Sequence, residues 1–393
     1  MTMISPLLLP LLLLVPSPAR SQTYCEAWLY QKLSHPTTTS GYLSPTVGSD
    51  LRTTPNTDDM IRTLTSINAT YAGRSIFLWG QEQILPTMLP HIVTKSGLST
   101  LNIPNYVFTA FDVPPPTSRK FDYDDMLSPS GQFKNHWGTD ASVPDLRRLE
   151  SRLWFYFLAT QYIDQGIEAI HCGQIHLMSS RDYGMVQTND LFTKIRAYAE
   201  THARRKFVLL SAHLYEDPYV HLQKTNKLIF DFHAFPSRPK PDANNPQTTT
   251  LSSSFSDPIY GKSAGGIFSG FTTSSLPYIV ELDNYDCTNH PGVQDTSDLF
   301  HHFGWDEISW FAHQDADYRS SWLFYAVDWL TQNDPVGRFQ MPIARCLCNN
   351  MANGQNYYYA SDQTSDGFGD EEVIKAIWAN WTAPIIVDGG GME

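Results

Sequence analysis

Short apolar runs, each ending in a polar residue, recur along the chain. They lie at 75–82 (SIFLWGQE), 105–112 (NYVFTAFD), 167–174 (IEAIHCGQ), 206–213 (KFVLLSAH), 227–233 (KLIFDFH), 277–283 (PYIVELD) and 307–314 (EISWFAHQ). Runs this dense in β-branched and aromatic residues predict strands buried on both faces. Stretches of helical period separate several of them, at 58–66, 145–165, 190–203, 320–332 and 370–380. The clearest, 145–165, places Leu146, Leu149, Leu153, Phe157, Ala159 and Ile163 at helical spacing, with Gly166 as its stop.

Strands alternating with helices imply parallel pairing through crossovers. Seven or eight such units predict an α/β fold, a (β/α)8 TIM-like barrel with long strand-to-helix loops. The expected barrel is a single domain over 22–385, followed by a flexible tail at 386–393. An open doubly wound sheet is the alternative, but its Gly-rich first turn is missing after the early strands. Two long polar connections, 113–138 and 237–266, are expected at the face where barrel strands end, as binding loops.

The first residues change the picture from fold to destination. Leu7 to Val15 is an apolar run too short to span a bilayer, and Ala19 and Ser21 are small residues at the positions a signal peptidase reads. Residues 1–21 therefore predict a signal peptide cleaved before Gln22, and a secreted, extracellular protein. No later stretch is long and apolar enough to predict a membrane span. The formal net charge of −13 disfavours nucleic acid and anionic membranes, both of which favour basic patches. Neutral sugars or cations fit that charge better.

Export gives the cysteines and sequons meaning. Of five cysteines, Cys172 lies in an apolar run and is expected as a buried thiol. Cys346 and Cys348 are too close to pair with each other, so one is expected to meet Cys25 and the other Cys287. Asn68-Ala69-Thr70 and Asn380-Trp381-Thr382 are glycosylation acceptors in an exported chain.

Candidate chemistry sits where the apolar runs end. These positions carry Glu82, Asp112, His171 with Gln174, His213 with Glu216, Asp231 with His233, Glu281 with Asp283, and His313 with Gln314. Half-buried acids and histidines are costly unless paired or used. Strand alternation aims Glu281 and Asp283 the same way, and neighbouring carboxylates push their pKa values apart into an acid and a base. Asp231, Glu216 and Glu82 are candidates for the second carboxylate that glycoside hydrolysis requires. His171, Gln174, His213 and His233, with Trp79 and Trp310, are expected to position a sugar. Trp137 and Trp305 are further aromatics near loops. The strand-end histidines also admit a metal-dependent hydrolase, although the paired cysteine spacing of a zinc site is missing. No bound cofactor is expected.

The strand-end acids, the leader and the abundant aromatics (10 Trp, 20 Tyr, 21 Phe) make the chain resemble the (β/α)8-barrel glycoside hydrolases. That resemblance implies carboxylate acid/base catalysis on a neutral glycan, with Glu281 as nucleophile or base. In retaining members the acid/base Glu lies three strands before the nucleophile. Here that position is Gln174, preceded by Cys172 and Gly173. The departure leaves the acid to Glu216, Asp231 or Glu82, or implies a catalytically degenerate glycan-binding or extracellular-matrix protein on the same scaffold.

Overall fold

The computed structural model describes residues 46–49, 56–69, 71–73, 93–94, 102–116, 118–213, 221–222, 227–234, 238–242, 244–245, 248–252, 262, 264–268, 271–283, 290, 292–293, 304–334, 336–347, 355 and 357–380. Nine strands carry the two principal sheets: β1 (Thr46–Ser49), β2 (Tyr71–Gly73), β3 (Ala169–His171), β4 (Leu209–Ala212), β5 (Phe232–Ala234), β6 (Tyr278–Val280), β7 (Gly337–Phe339), β8 (Met341–Cys346) and β9 (Tyr357–Tyr359). One sheet has the order β7-β6-β5-β4-β3, parallel throughout. The other has the order β9-β8-β1-β2, parallel except for β9. Only Gln340 separates β7 from β8, so the segment 337–346 serves both sheets. A third, mixed sheet joins the strands at 221–222, 227–228, 264–268 and 271–275, and two small antiparallel pairs complete the described strands.

The expected (β/α)8 barrel is therefore corrected to a mixed α/β arrangement of open sheets. Among the described residues no pairing joins the outer strands β2 and β3, so the parallel series does not close. Two apolar runs expected as strands are helices, α2 (Asn105–Ala110) and α5 (Glu307–His313). The expected first strand, 75–82, lies outside the described residues, as do residues 1–21 and 386–393.

Local chemistry explains the helices. The other principal ones are α1 (Thr57–Ser66), α3 (Leu149–Asp164), α4 (Val186–His202), α6 (Ala316–Asn333) and α7 (Glu371–Asn380). Helix α3 ends as Gly166 requires. With φ +90, Gly166 donates its N–H to the Ile163 carbonyl, and Ile167 donates to Tyr162, closing the last turn. Asp306 caps α5 by accepting the Ser309 N–H at 2.8 Å, and Asp315 caps α6 by accepting that of Tyr318 at 2.7 Å. A side chain that satisfies an orphan N–H at that point makes 307–313 a helix despite its aromatic density.

Two apolar cores flank the sheets. One gathers α2, α3 and α4 against β3 and β4. The other gathers α1, α5, α6 and α7 against β6, β7 and β8. Trp310 belongs to the second core. It is fully buried, edge-on to Trp322 at 5.8 Å between ring centres and to Tyr318 at 6.2 Å. Its expected contact with a sugar is thus corrected: its ring is committed to packing, which for a large aromatic is worth about 3 kcal/mol.

The N-terminal edge of the first sheet is lined by paired acids. Glu168, just before β3, accepts from Arg204 and Arg205, each at 3.2 Å. Asp231, just before β5, takes Arg196 of α4 at 3.1 Å and the Leu210 backbone N–H at 2.5 Å. Asp231 was expected at a strand end, but β5 begins after it, so it lies at the opposite edge from Glu281. Its carboxylate pins α4 to the sheet. Asp231→Ala removes the anion that Arg196 and the Leu210 N–H share, leaving Arg196 its bonds to the Val208 and Ile229 carbonyls, and should lower unfolding free energy by about 2 kcal/mol in urea denaturation. Loss below about 1 kcal/mol would show that the pin contributes little.

Candidate functional site

At the C-terminal edge, β6 delivers Glu281 and Asp283 two residues apart, and both reach the same guanidinium. Arg345 Nη2 lies 3.4 Å from Glu281 Oε1 and 3.8 Å from Asp283 Oδ1. Gln340, on the segment shared by the sheets, donates its side-chain amide to Glu281 Oε2. Parallel register explains this meeting: Val280 pairs with Phe339, so Glu281 falls beside Gln340. The Gln340 N–H also donates to the Val280 carbonyl at 2.7 Å. Gly73 on β2 abuts Gln340, where a Cβ would collide with the side-chain amide. Glu281 and Arg345 are buried, whereas the Asp283 side chain is 30% exposed.

Helix α5 brings two more acids. The Asp283 N–H donates to Glu307 Oε2 at 2.9 Å, and the Ile308 N–H donates to the Asp283 carbonyl at 3.1 Å. Arg238 Nε donates to Glu307 Oε1 at 2.7 Å. The backbone of Asp283 is thus clamped while its carboxylate stays reachable. Burial pushes the Glu307 carboxyl up to about 7, against the opposing pull of Arg238 and the Asp283 N–H. Burial likewise pushes Asp306 up to about 7, against its hydrogen bonds from Ser309, with the charge of Asp283 adding to the rise. The cluster can therefore hold protons at neutral pH beside an exposed carboxylate.

Further along the same edge, His171 and His213 face each other at 4.6 Å between ring centres. His171 Nδ1 lies 3.0 Å from Ser211 Oγ, and the His213 N–H donates to the Gly173 carbonyl at 2.9 Å. Strand β4, which leads into His213, is two strands from β6, roughly 10 Å away at ordinary strand spacing. Gln174 is half-buried and opens the turn at Ile175–Met178. Burial lowers buried His176 in that turn to about 4, so it is neutral. Cys172 is a buried thiol whose pKa burial pushes up, leaving it unreactive.

The remaining expected positions fall elsewhere. His313 and Gln314 end a helix rather than a strand, and Trp305 stacks on His313 at 3.7 Å. Asn68 and Asn380 are both exposed, Asn68 in a left-handed turn at φ +61. Glu82, Glu216, Trp79, Cys25, Cys287, Cys348 and the His233 side chain lie outside the described residues. Cys172 and Cys346, the cysteines within them, form no disulfide with each other. No group of three or more His, Cys, Asp or Glu among the described residues is arranged to hold a metal ion. Among them too, no helix is long and apolar enough to cross a membrane.

Arg345, Gln340, Arg238, Asp306 and Glu307 escape a reading based on the ends of apolar runs. Two signals do mark Arg345 and Asp306. An arginine inside the apolar run at 341–347 (MPIARCL) needs a buried anion, and Asp306 three residues before Ser309 is a helix cap.

The raised carboxyls make stability depend on pH. Above about pH 4 an unfolded chain has released protons that folded Asp306 and Glu307 keep until about 7. The folded state binds more protons in that window, so their contribution falls as pH rises from about 4 to 7. Asp306→Asn, which keeps the helix cap, should flatten the decline in melting temperature between pH 5 and 8, removing roughly half of it. A decline as steep as in the wild type would place its source elsewhere.

No known protein family, no curated protein and no solved structure matches this chain, so the functional reading rests on this cluster.

Proposed function

We propose that this chain is an exported glycoside-hydrolase-like enzyme acting on a neutral glycan through the carboxylates at the end of β6. The observation that carries the reading is the reachable Asp283, held by one arginine to buried Glu281 and backed by two acids that retain protons near pH 7. Hydrolysis of a glycosidic bond needs one carboxyl group to protonate the departing oxygen. Another must attack the anomeric carbon, or take a proton from the attacking water. Asp283 is the carboxylate a sugar can reach. Glu281, held by Arg345 and Gln340, acts through the shared guanidinium as a positioning residue. Glu82 and Glu216 are the sequence's candidates for the opposing acid. The apolar leader and two sequons support export and glycosylation, and Cys25, Cys287 and Cys348 support disulfides in that compartment.

One observation favours a second reading, a glycan-binding protein without turnover. Glu281, the nucleophile implied by the barrel-hydrolase resemblance, is 3% exposed and occupied by Gln340 and Arg345.

The same variants separate the two. Asp283→Asn should cut kcat by about 100- to 10,000-fold on a panel of neutral glycosides, the range for a lost acid/base group, with melting temperature nearly unchanged. Glu281→Gln should lower kcat with KM little altered, and shift the pH profile. Turnover within threefold of wild type in Asp283→Asn would remove the catalytic role. Wild-type binding on a glycan array without any hydrolysis would establish the second reading.

A further inference from the structure

Two surface loops present aromatic rings on backbone that is costly to hold. The first, residues 131–142, carries Trp137 at 40% exposure and packs it edge-on against His136 at 4.7 Å. Three of its non-glycine residues, Phe133, Asn135 and Asp140, have left-handed φ of 56 to 59. The loop is held by its own hydrogen bonds. Asn135 N–H donates to Ser142 Oγ at 2.7 Å, Asp140 N–H to Asn135 Oδ1 at 3.0 Å, and Trp137 N–H to the Ala141 carbonyl at 3.1 Å. Tyr123 OH braces Ser142 Oγ at 2.6 Å from beneath.

The second loop, residues 180–186, connects β3 to α4 and so belongs to the C-terminal edge of the sheet. It carries Tyr183 at 88% exposure, followed by Gly184 at φ +74 and Met185 at φ +55. Buried Asp182 fixes it by accepting from the Gln187 and Thr188 N–H groups and from Thr188 Oγ1. The loops are joined, because Arg181 donates to Ser130 Oγ at 2.7 Å. Backbone strain kept in place by such bracing collects at functional positions.

The surroundings indicate what the rings meet. Trp137 stands among exposed Lys134, Asn135, His136, Thr139 and Asp140, which are polar or charged neighbours rather than an apolar stretch of the loop. An exposed flat ring amid hydrogen-bonding groups suits the C–H face and hydroxyl rim of a sugar. We infer that Trp137 and Tyr183 form a preorganised platform for a neutral polysaccharide, on loops linked at the edge that bears His171, so that the glycan engaged is a polymer. This rests on the glycan reading above, but on residues separate from its acid cluster.

Affinity electrophoresis of the full chain in gels containing hydroxyethyl cellulose, xylan, galactomannan or β-1,3-glucan tests the inference. Wild type should be retarded by at least one of them at both low and high salt. Trp137→Ala and Tyr183→Ala should each weaken that retention at least tenfold, and Trp137→Phe should restore most of it. Melting temperature should stay nearly unchanged, and turnover of a small aryl glycoside should stay within about twofold of wild type. No retardation of wild type, or unchanged retardation in both alanine variants, overturns the platform. Polymer binding lost in Trp137→Ala, in a protein without any turnover, keeps the platform and removes the hydrolase reading. Glycoside turnover without polymer binding does the reverse.

Discussion

Arg345 lies in one sheet and neutralises an acid in the other. It sits on β8, pairs through its guanidinium with Glu281 just past β6, and reaches towards Asp283. It is 2% exposed, so its charge has no other solvent to rely on. Removing either partner of a buried ion pair leaves the other charge uncompensated, at a cost of about 3 to 5 kcal/mol. The pairing therefore constrains the segment 337–346, which must leave β7, place Gln340 beside Glu281 and continue as β8 with Arg345 facing back. The position of both sheets' shared segment and that of the candidate carboxylates are one geometric fact.

This constraint explains why some of the fold was legible in the sequence and some was not. Helices α1, α3, α4, α6 and α7 fall within a few residues of the stretches with helical period, because their apolar stripes and end signals act locally. The strands leading to Glu281, His171 and His213 were legible for a similar reason: uninterrupted apolar runs ended by polar residues. Strands β7 and β8 were not, because Arg338, Pro342 and Arg345 interrupt their apolar pattern. Those residues make sense only beside partners far away in the chain. The segment 307–313 misled in the opposite direction. Its aromatic density resembles a buried strand, but it is a helix buried nearly all round, and periodicity says little about such an element.

The site was legible only in part. Strand alternation placed Glu281 and Asp283 on the same side, and one arginine does serve both. Asp231 shows where that reasoning fails. With Phe232 and His233 it reads as the end of an apolar run, yet the strand begins after it, and a shift of a few residues moves a carboxylate from one edge of a sheet to the other. Trp310 shows a related limit. Composition marks an aromatic residue, but whether the ring meets ligand or core depends on the neighbouring helix, here through Trp322.

The two edges of the first sheet handle buried acid in different ways. At the N-terminal edge, Glu168 has two arginines, and Asp231 has an arginine and a backbone donor. At the C-terminal edge, among the described residues, Glu281, Asp283, Asp306 and Glu307 gather around Arg238 and Arg345. Buried carboxyl groups this close together cannot all ionise cheaply in a desolvated site. Burial, more than the neighbouring charges, raises the carboxyls of Asp306 and Glu307 towards neutrality, where they hold protons. A sheet built for stability alone would need only the first arrangement. Burial of Asp306 and Glu307 at the second edge keeps exchangeable protons next to a carboxylate that solvent can reach, and acid/base chemistry requires that combination.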